Sequence, residues 1–335
     1  MEHAVSYSEI KWWRFCHHAH FLKYQQRIVP KVSSRPLQLG SIIHELLELY
    51  AQGQSWELRV QELEKEYSKF FLEERELYGD IPSLARAIME GYTTTYKDDD
   101  LRVLGVEIEL PKVKLSKHMS FKGRVDRVIM QDQRVFLGET KTGRSLPGED
   151  FREWDIQTLL YIWALEKARL FKFDGIMWDH IRTKTPTIPR VLKNGQLSQA
   201  KNIDTTYEVY MQAIAEQGLN PADYSEILDI LAMKKNQFYR RVFVPIPRHF
   251  VPLVVHDAKL SANEIYRAKV HPEKASSKLR SMSNKTCPNC MYSKICHAAM
   301  QGADVEFIIQ EDYMPKPPHH QEEENEPEDR ESGED

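Results

Sequence analysis

Apolar positions in this chain recur with two different periods, and the switches between them outline its elements. Ser6 and Glu9 have the spacing of a capping box and open a first helix, read through about Tyr24. After a loop with Pro30 and Pro36, Leu39-Gly-Ser-Ile-Ile-His44-Glu-Leu-Leu-Glu-Leu-Tyr50 sets apolar residues three and four apart, as one helix face requires. Two further helical stretches run from about Trp56 to Leu77 and from Ile81 to Tyr96, both rich in helix formers and paired charges. Near Arg102 the period changes to that of strands. Gly123-Arg-Val-Asp-Arg-Val-Ile-Met130 and Arg134-Val-Phe-Leu-Gly-Glu-Thr-Lys-Thr-Gly143 flank a polar turn at Asp132. Helical spacing returns from Asp155 to Glu166, another strand is read at Gly175–Arg182, and helices are expected from about Pro221 to Tyr239 and from Arg248 to about Lys269. The pattern predicts an α/β fold. It consists of one domain over 1–312, with mostly helical insertions at 53–100 and 200–275, then linker and tail from 313 to 335.

Folded about Asp132 and Gln133 into an antiparallel hairpin, the two central runs set Asp126 opposite Glu139, with facing Cβ atoms about 5 Å apart. Strand side chains alternate, so Glu139 and Lys141 share a face while Thr140 points away and leaves its carbonyl beside the carboxylates. Two carboxylates, a carbonyl and an ammonium suit Mg²⁺ or Mn²⁺, hard cations that take oxygen ligands and leave positions for water and phosphate. Lys141 cannot ligate an ion while protonated. It can stabilise phosphorane charge or, with a depressed pKa, orient and deprotonate a bound water. The competing reading is a surface charge cluster on a hairpin edge, since D-x12-E-x-K is a loose pattern. Glu107, in the strand-like Val106-Glu-Ile-Glu-Leu110, is a weaker acidic candidate whose expected place is a solvated strand face.

These elements resemble the PD-(D/E)XK nuclease superfamily, in particular its RecB-like branch. There a G-x-x-D strand is followed by a (D/E)-x-K strand, often continuing into Thr-Gly, and then by a helix carrying Q-x-x-x-Y. Here they read Gly123-Arg-Val-Asp126, Glu139-Thr-Lys141-Thr-Gly143 and Gln157-Thr-Leu-Leu-Tyr161. Gln157 and Tyr161 share a helix face. The resemblance implies that Gln157 lines the active site and Tyr161 supports it, and that His44, from the helix ahead of the strands, is an additional metal ligand beside Asp126, Glu139 and the Thr140 carbonyl. It also implies a restriction-endonuclease-like core, a mixed central sheet flanked by helices.

The four cysteines are an independent signal. Cys287, Cys290 and Cys296 form a C-x2-C pair with a third cysteine close behind, and Cys16 stands near the start. Short spacings let several thiolates meet at one metal centre. Four thiolates suit a 4Fe-4S cluster; a zinc site of Cys287, Cys290 and Cys296 with Cys16 or His297 is the alternative. The one-plus-three arrangement resembles the iron-sulfur nucleases of the RecB-like branch, including AddB and the CRISPR-associated members. That resemblance implies a 4Fe-4S cluster joining the N- and C-terminal segments.

Composition and charge narrow the class. With 335 residues, 41% of them apolar, the chain can bury a sizeable core. No apolar run is long enough to span a bilayer, Met1–Ser6 lacks the features of a signal peptide, and the thiol pattern reads as metal-binding, so a reducing cytoplasm is expected, bacterial or of a phage-infected host, with no membrane partner. The net charge of -4 hides an asymmetry, because residues 321–335 carry nine acidic residues and one arginine; without them 45 basic residues face 41 acidic ones. An acidic tail with no hydrophobic residues cannot bury enough surface to order itself, and disorder is expected there. The remainder is mildly basic, compatible with a phosphate-backbone partner. Arg182, Lys184 and Arg190, beside or within a Pro-, Lys- and Thr-rich stretch, are candidate phosphate contacts, with a solvated loop as the alternative. No P-loop motif is present, so unwinding needs a partner such as a helicase or recombination protein. The expected activity is metal-dependent DNA hydrolysis on single strands or free ends, as in bacteriophage or prokaryotic enzymes that resect DNA for recombination, replication or repair. An inactive DNA-binding module and an RNA nuclease are the alternatives.

Overall fold

The computed structural model describes residues 3–147, 155–234, 236–274 and 278–316. The chain begins with strand β1 (His3–Val5) and helix α1 (Tyr7–Phe15), followed by α2 (His17–His20), a π-helical turn (Phe21–Gln25) and β2 (Ile28–Pro30). A helical block follows, made of α3 (Arg35–Ala51), α4 (Trp56–Tyr67), α5 (Leu72–Tyr78) and α6 (Ile81–Thr95). Strands β3 (Arg102–Glu109), β4 (Val113–Lys114), β5 (Met119–Phe121), β6 (Arg124–Gln131) and β7 (Arg134–Gly143) lead into α7 (Ile156–Lys167) and β8 (Gly175–Arg182). After α8 (Tyr207–Glu216), α9 (Ser225–Met233) and β9 (Tyr239–Pro245) come α10 (Val251–Val270), α11 (Ser293–Met300), α12 (Val305–Asp312) and β10 (Tyr313–Pro315). No helix among the described residues is long and apolar enough to cross a membrane.

Packing divides the chain into two compact units, where the sequence pattern suggests one domain. The first comprises the described residues within 1–33, 115–120 and 258–335, the second those within 34–114 and 121–257.

The second unit is built on a five-stranded sheet in the order β3-β6-β7-β8-β9. Only the β7–β8 pair is parallel, so the sheet is mixed, and α7 supplies the crossover that a parallel pair requires. Asp132 and Gln133 both adopt positive φ, the geometry of a two-residue turn whose twist matches a hairpin. The register runs from Gln131↔Arg134 to Arg127↔Gly138, and continuing it sets Asp126 against Glu139. β8 is buried along nearly all its length, which its apolar run permits. Leu39, Ile42, Ile43, Leu46 and Leu47 of α3 pack with α4, α6 and Ile181 in the main core. A Cβ at Gly40 would lie 3.1 Å from Thr142 Oγ1, so glycine lets α3 come close to β7 one turn before His44.

Several expectations need correction in this unit. The stretch from Trp56 to Leu77 is two helices, because Tyr67 and Phe70 pack their rings together (centroids 4.4 Å apart) against the α3–α6 core and the chain turns there, the Lys69 and Phe70 amides donating to the Glu66 and Tyr67 carbonyls. The segment 200–275 is not simply helical: Tyr239–Pro245 is the edge strand β9, paired with β8 from Tyr239↔Ile181 to Pro245↔Gly175. Its Tyr-Arg-Arg-Val-Phe-Val run is short, and its pairing partner lies far away in sequence, so helical neighbours mask it.

In the first unit the two ends of the chain meet. Trp13 Nε1 donates to Glu264 at 2.9 Å, Arg14 Nε to Ser261 at 2.9 Å and Tyr292 Oη to the Ile28 carbonyl at 2.7 Å. β10 pairs antiparallel with β2, and Tyr313 is buried, so the folded chain continues past the expected boundary at 312. The acidic segment 317–335 lies outside the described residues. The first helix stops at Cys16, whose backbone is extended, instead of continuing to Tyr24. Ser6 Oγ accepts the Glu9 amide as a cap, but the Glu9 carboxylate turns inward to His20 (3.1 Å) and Lys269 (2.9 Å), so the reciprocal half of the box does not form.

Candidate active site

Strand alternation and the α7 crossover bring Glu139, Lys141, Gln157 and Tyr161 together. Lys141 Nζ lies 2.5 Å from Glu139 Oε1 and 3.4 Å from Gln157 Oε1, while Gln157 Nε2 donates to Tyr161 Oη at 3.1 Å. Tyr161 in turn packs where a Cβ on Gly123 would come within 2.8 Å of its ring, so the glycine of the G-x-x-D stretch makes room for the helix that carries Gln157. Asp126 sits one residue past the Arg127↔Gly138 pair that ends the ladder, and its Oδ2 accepts the Thr140 amide at 2.9 Å. His44 Nδ1 stands 3.7 Å from the same oxygen, too far for a hydrogen bond. The Thr140 side chain points to the other face and accepts from Arg127 Nη2 at 3.0 Å.

The electrostatics of this group are those of two neighbouring carboxylates, one of them buried, that share a single nearby ammonium. Glu139 is almost wholly buried, and its Oε2 has no hydrogen-bond partner among the described residues. Burial and then the Asp126 carboxylate push Glu139 up to about 8, against the pull of Lys141. Burial opposes the Lys141 charge, but the Glu139 contact outweighs it and the net direction is up. Lys141 is therefore an ammonium at neutral pH, which favours charge stabilisation over proton abstraction. Burial lowers His44, the Asp126 attraction notwithstanding, so its imidazole is neutral and able to donate a lone pair to a cation.

A stability prediction follows from Glu139. Its folded pKa lies above the ordinary carboxylate value of 4.5, so its favourable contribution is complete below that value and is lost as pH rises through about 8. Metal-free protein is expected to melt progressively lower between those limits, and Mg²⁺ to raise the melting temperature more at the alkaline end. Thermal melts of wild type and Glu139→Gln measure this; a wild-type slope identical to the variant's removes the assignment.

Glu107 was expected on a solvated strand face and instead joins the site. Continuing the β3–β6 register (Val106↔Arg127, Ile108↔Val125) sets it opposite Asp126, and its backbone has φ 48°, an uncommon conformation for a side-chain-bearing residue. It is ion-paired to Arg124 and, with His44, Glu48 and Asp126, lines a small cleft. Burial raises it to about 7, partly offset by Arg124 and reinforced by Asp126 and Glu48. The sequence signal was hidden because a register shift between Val103 and Gly105 moves β3 by one residue.

The candidate phosphate contacts are placed differently. Arg182 forms a two-pronged ion pair with Asp204, both distances 2.9 Å, and Lys184 reaches the same carboxylate at 2.7 Å. These two cations hold the base of their own loop, which a turn at Gly195 and a Val191↔Leu197 bridge close further out. Arg190 is exposed on that loop.

In the first unit, Cys16, Cys287, Cys290 and Cys296 line one cavity of about 440 Å³, together with His18 and Arg280; His297 borders it too. The Ser281 and Ser283 amides donate to the sulfurs of Cys16 and Cys287, both at 3.4 Å. Burial raises the Cys290 thiol, and the three other cysteines reinforce the shift. All four thiols are free. Among the described residues, however, no three His, Cys, Asp or Glu side chains form a group able to hold a metal ion, either here or at the acidic site.

Sheet order, crossover and the clustered acids and lysine define a nuclease-type α/β core. The family model of the PD-(D/E)XK nuclease superfamily matches residues 4–297, and the chain belongs to that superfamily. Among solved structures it is similar to SSO0001, at 16% identity over 72% of this chain and 81% of that one, with a TM-score of 0.29. It is also similar to a protein of Eubacterium rectale whose name assigns it provisionally as an exonuclease, at 15% identity over 70% and 83% of the two chains, with a TM-score of 0.37. No curated protein matches.

Proposed function

We propose that this member of the superfamily is a metal-dependent DNA nuclease, acting as an exonuclease on single strands or free ends. The observation that carries the reading is the buried Glu139 Oε2, without a hydrogen-bond partner among the described residues and beside Asp126, with the Lys141 ammonium 2.5 Å from the other oxygen. Members of the superfamily generally use Mg²⁺ or Mn²⁺. The donor chemistry suits such an ion, although no three of the described side chains stand grouped to hold one: Asp126 and Glu139 carry hard oxygens and His44 a neutral imidazole. Bound there, the ion supplies Lewis-acid polarisation of the phosphate and a more acidic water. Lys141, fixed by Glu139 and Gln157, holds a positive charge against the developing charge on phosphorus-bound oxygens. Tyr161 keeps the Gln157 amide turned toward Lys141.

Recombination, replication or repair is the proposed setting, with a helicase or recombination protein delivering substrate. The four cysteines fit a 4Fe-4S cluster, because the shared cavity and the amides aimed at two sulfurs suit thiolate ligands. Zinc, held by Cys287, Cys290 and Cys296 with either Cys16 or His297, is the second reading. The test of function is digestion of end-labelled single- and double-stranded DNA with Mg²⁺, with Mn²⁺ and with chelator. Shortening from the ends that requires the ion is expected; tight DNA binding without ion-dependent cleavage would identify an inactive binding module instead.

A further inference from the structure

Behind the acids, on the opposite side of the sheet from Lys141, a polar row crosses four adjacent strands: Arg127 on β6, Thr140 on β7, Asp179 on β8 and Arg241 on β9. Tyr92 of α6 closes over it. Tyr92 Oη donates to Asp179 Oδ2 at 2.5 Å, and the same oxygen accepts from Arg127 Nη2 at 2.8 Å and Arg241 Nη2 at 3.3 Å. Arg127 Nη2 also donates to Thr140 Oγ1 at 3.0 Å. Arg127, Thr140, Asp179 and Tyr92 are all buried, with Asp179 and Tyr92 wholly so.

Stability alone accounts poorly for this row. A buried ion pair recovers little more than its desolvation cost, and apolar side chains of similar volume serve a core as well or better. Asp179 Oδ1 moreover has no partner among the described residues. What the row does supply is a fixed position for Thr140. That residue is gripped twice, its hydroxyl by Arg127 and its amide by Asp126, and it lies between Glu139 and Lys141.

We propose that Arg127, held by Asp179 and Tyr92, is a positioning residue that braces β6 against β7 through Thr140 and so holds Asp126 beside Glu139 for ion binding. The inference rests on the nuclease reading. Without the guanidinium, the buried Thr140 hydroxyl loses its donor and the brace between β6 and β7 behind the acids is lost, so Asp126 and Glu139 would be held together less firmly. Partners that orient ligating groups commonly govern metal affinity by about 10–100-fold.

Thr140→Val tests this with little disturbance, since it removes the hydroxyl and keeps the shape; Arg127→Met removes the fork. Mn²⁺ binding without DNA is followed by the loss of the free-ion electron spin resonance signal, alongside the Mn²⁺ dependence of cleavage and thermal melts. Both variants are expected to need about tenfold or more Mn²⁺ for half-saturation, with a smaller loss of rate at saturating ion. Thr140→Ser, which restores the hydroxyl, is expected to recover most of the affinity. Wild-type affinity in Thr140→Val overturns the proposal, as does an effect confined to the melting temperature. A wild type that neither binds Mn²⁺ nor cleaves overturns the nuclease reading, and this proposal with it; one that cleaves while Thr140→Val binds normally overturns this proposal alone.

Discussion

Lys141→Ala is expected to lower DNA cleavage by about 10²–10³-fold, the scale on which removing one preorganised charge-stabilising donor acts. The residue is 40% exposed and its two polar contacts are to Glu139 and Gln157, so the fold survives its truncation. Asp126→Ala is expected to act at least as strongly, since it removes a carboxylate from the site together with the acceptor of the Thr140 amide. The two should separate by ion dependence: extra Mn²⁺ partly recovers Asp126→Ala and leaves Lys141→Ala where it is, because the ammonium acts on charge and not on ion affinity. Single-turnover digestion of end-labelled DNA across an Mn²⁺ series measures both. Cleavage undiminished in both variants would remove these residues from the chemistry.

The second large effect concerns the cysteines. Anaerobically purified protein is expected to be brown and to contain iron and acid-labile sulfide, and Cys290→Ala to lose both. A cluster linking Cys16 to the C-terminal triplet closes a loop of roughly 270 residues and adds local binding energy, so its loss should cost several kcal/mol and lower the melting temperature by about 10 °C or more. The hydrogen bonds that already join the chain ends, such as Trp13 to Glu264, limit the damage to partial unfolding of that unit. Colourless protein with stoichiometric zinc would favour the zinc site; absence of both metals would leave the thiols without this role.

How much of this was legible from residue order depends on the distance over which each feature is determined. The hairpin register could be read because Asp132 and Gln133 fix it locally, and α7 and β8 could be read from one run of residues each. β9 could not, because it becomes a strand only by pairing with β8 across the α8–α9 segment, and helical neighbours set the wrong expectation. Glu107 was misplaced for the same reason, since its neighbours are decided by a register shift in β3. Arg182 and Lys184 read in the sequence as candidate phosphate contacts, and Asp204, some twenty residues on, holds both.

Residue order alone therefore determined the catalytic candidates, their alternation along the strands, and the grouping of three cysteines at one end of the chain. Only the tertiary structure decided that the Glu139 contact raises Lys141, that Glu139 carries a buried oxygen without a partner among the described residues, and that Arg127 and Asp179 lie beside Thr140 on the face away from Lys141. The physical reason is that protonation and hydrogen-bond satisfaction depend on burial and on partners distant in sequence, whereas alternation and local spacing follow from the geometry of neighbouring residues.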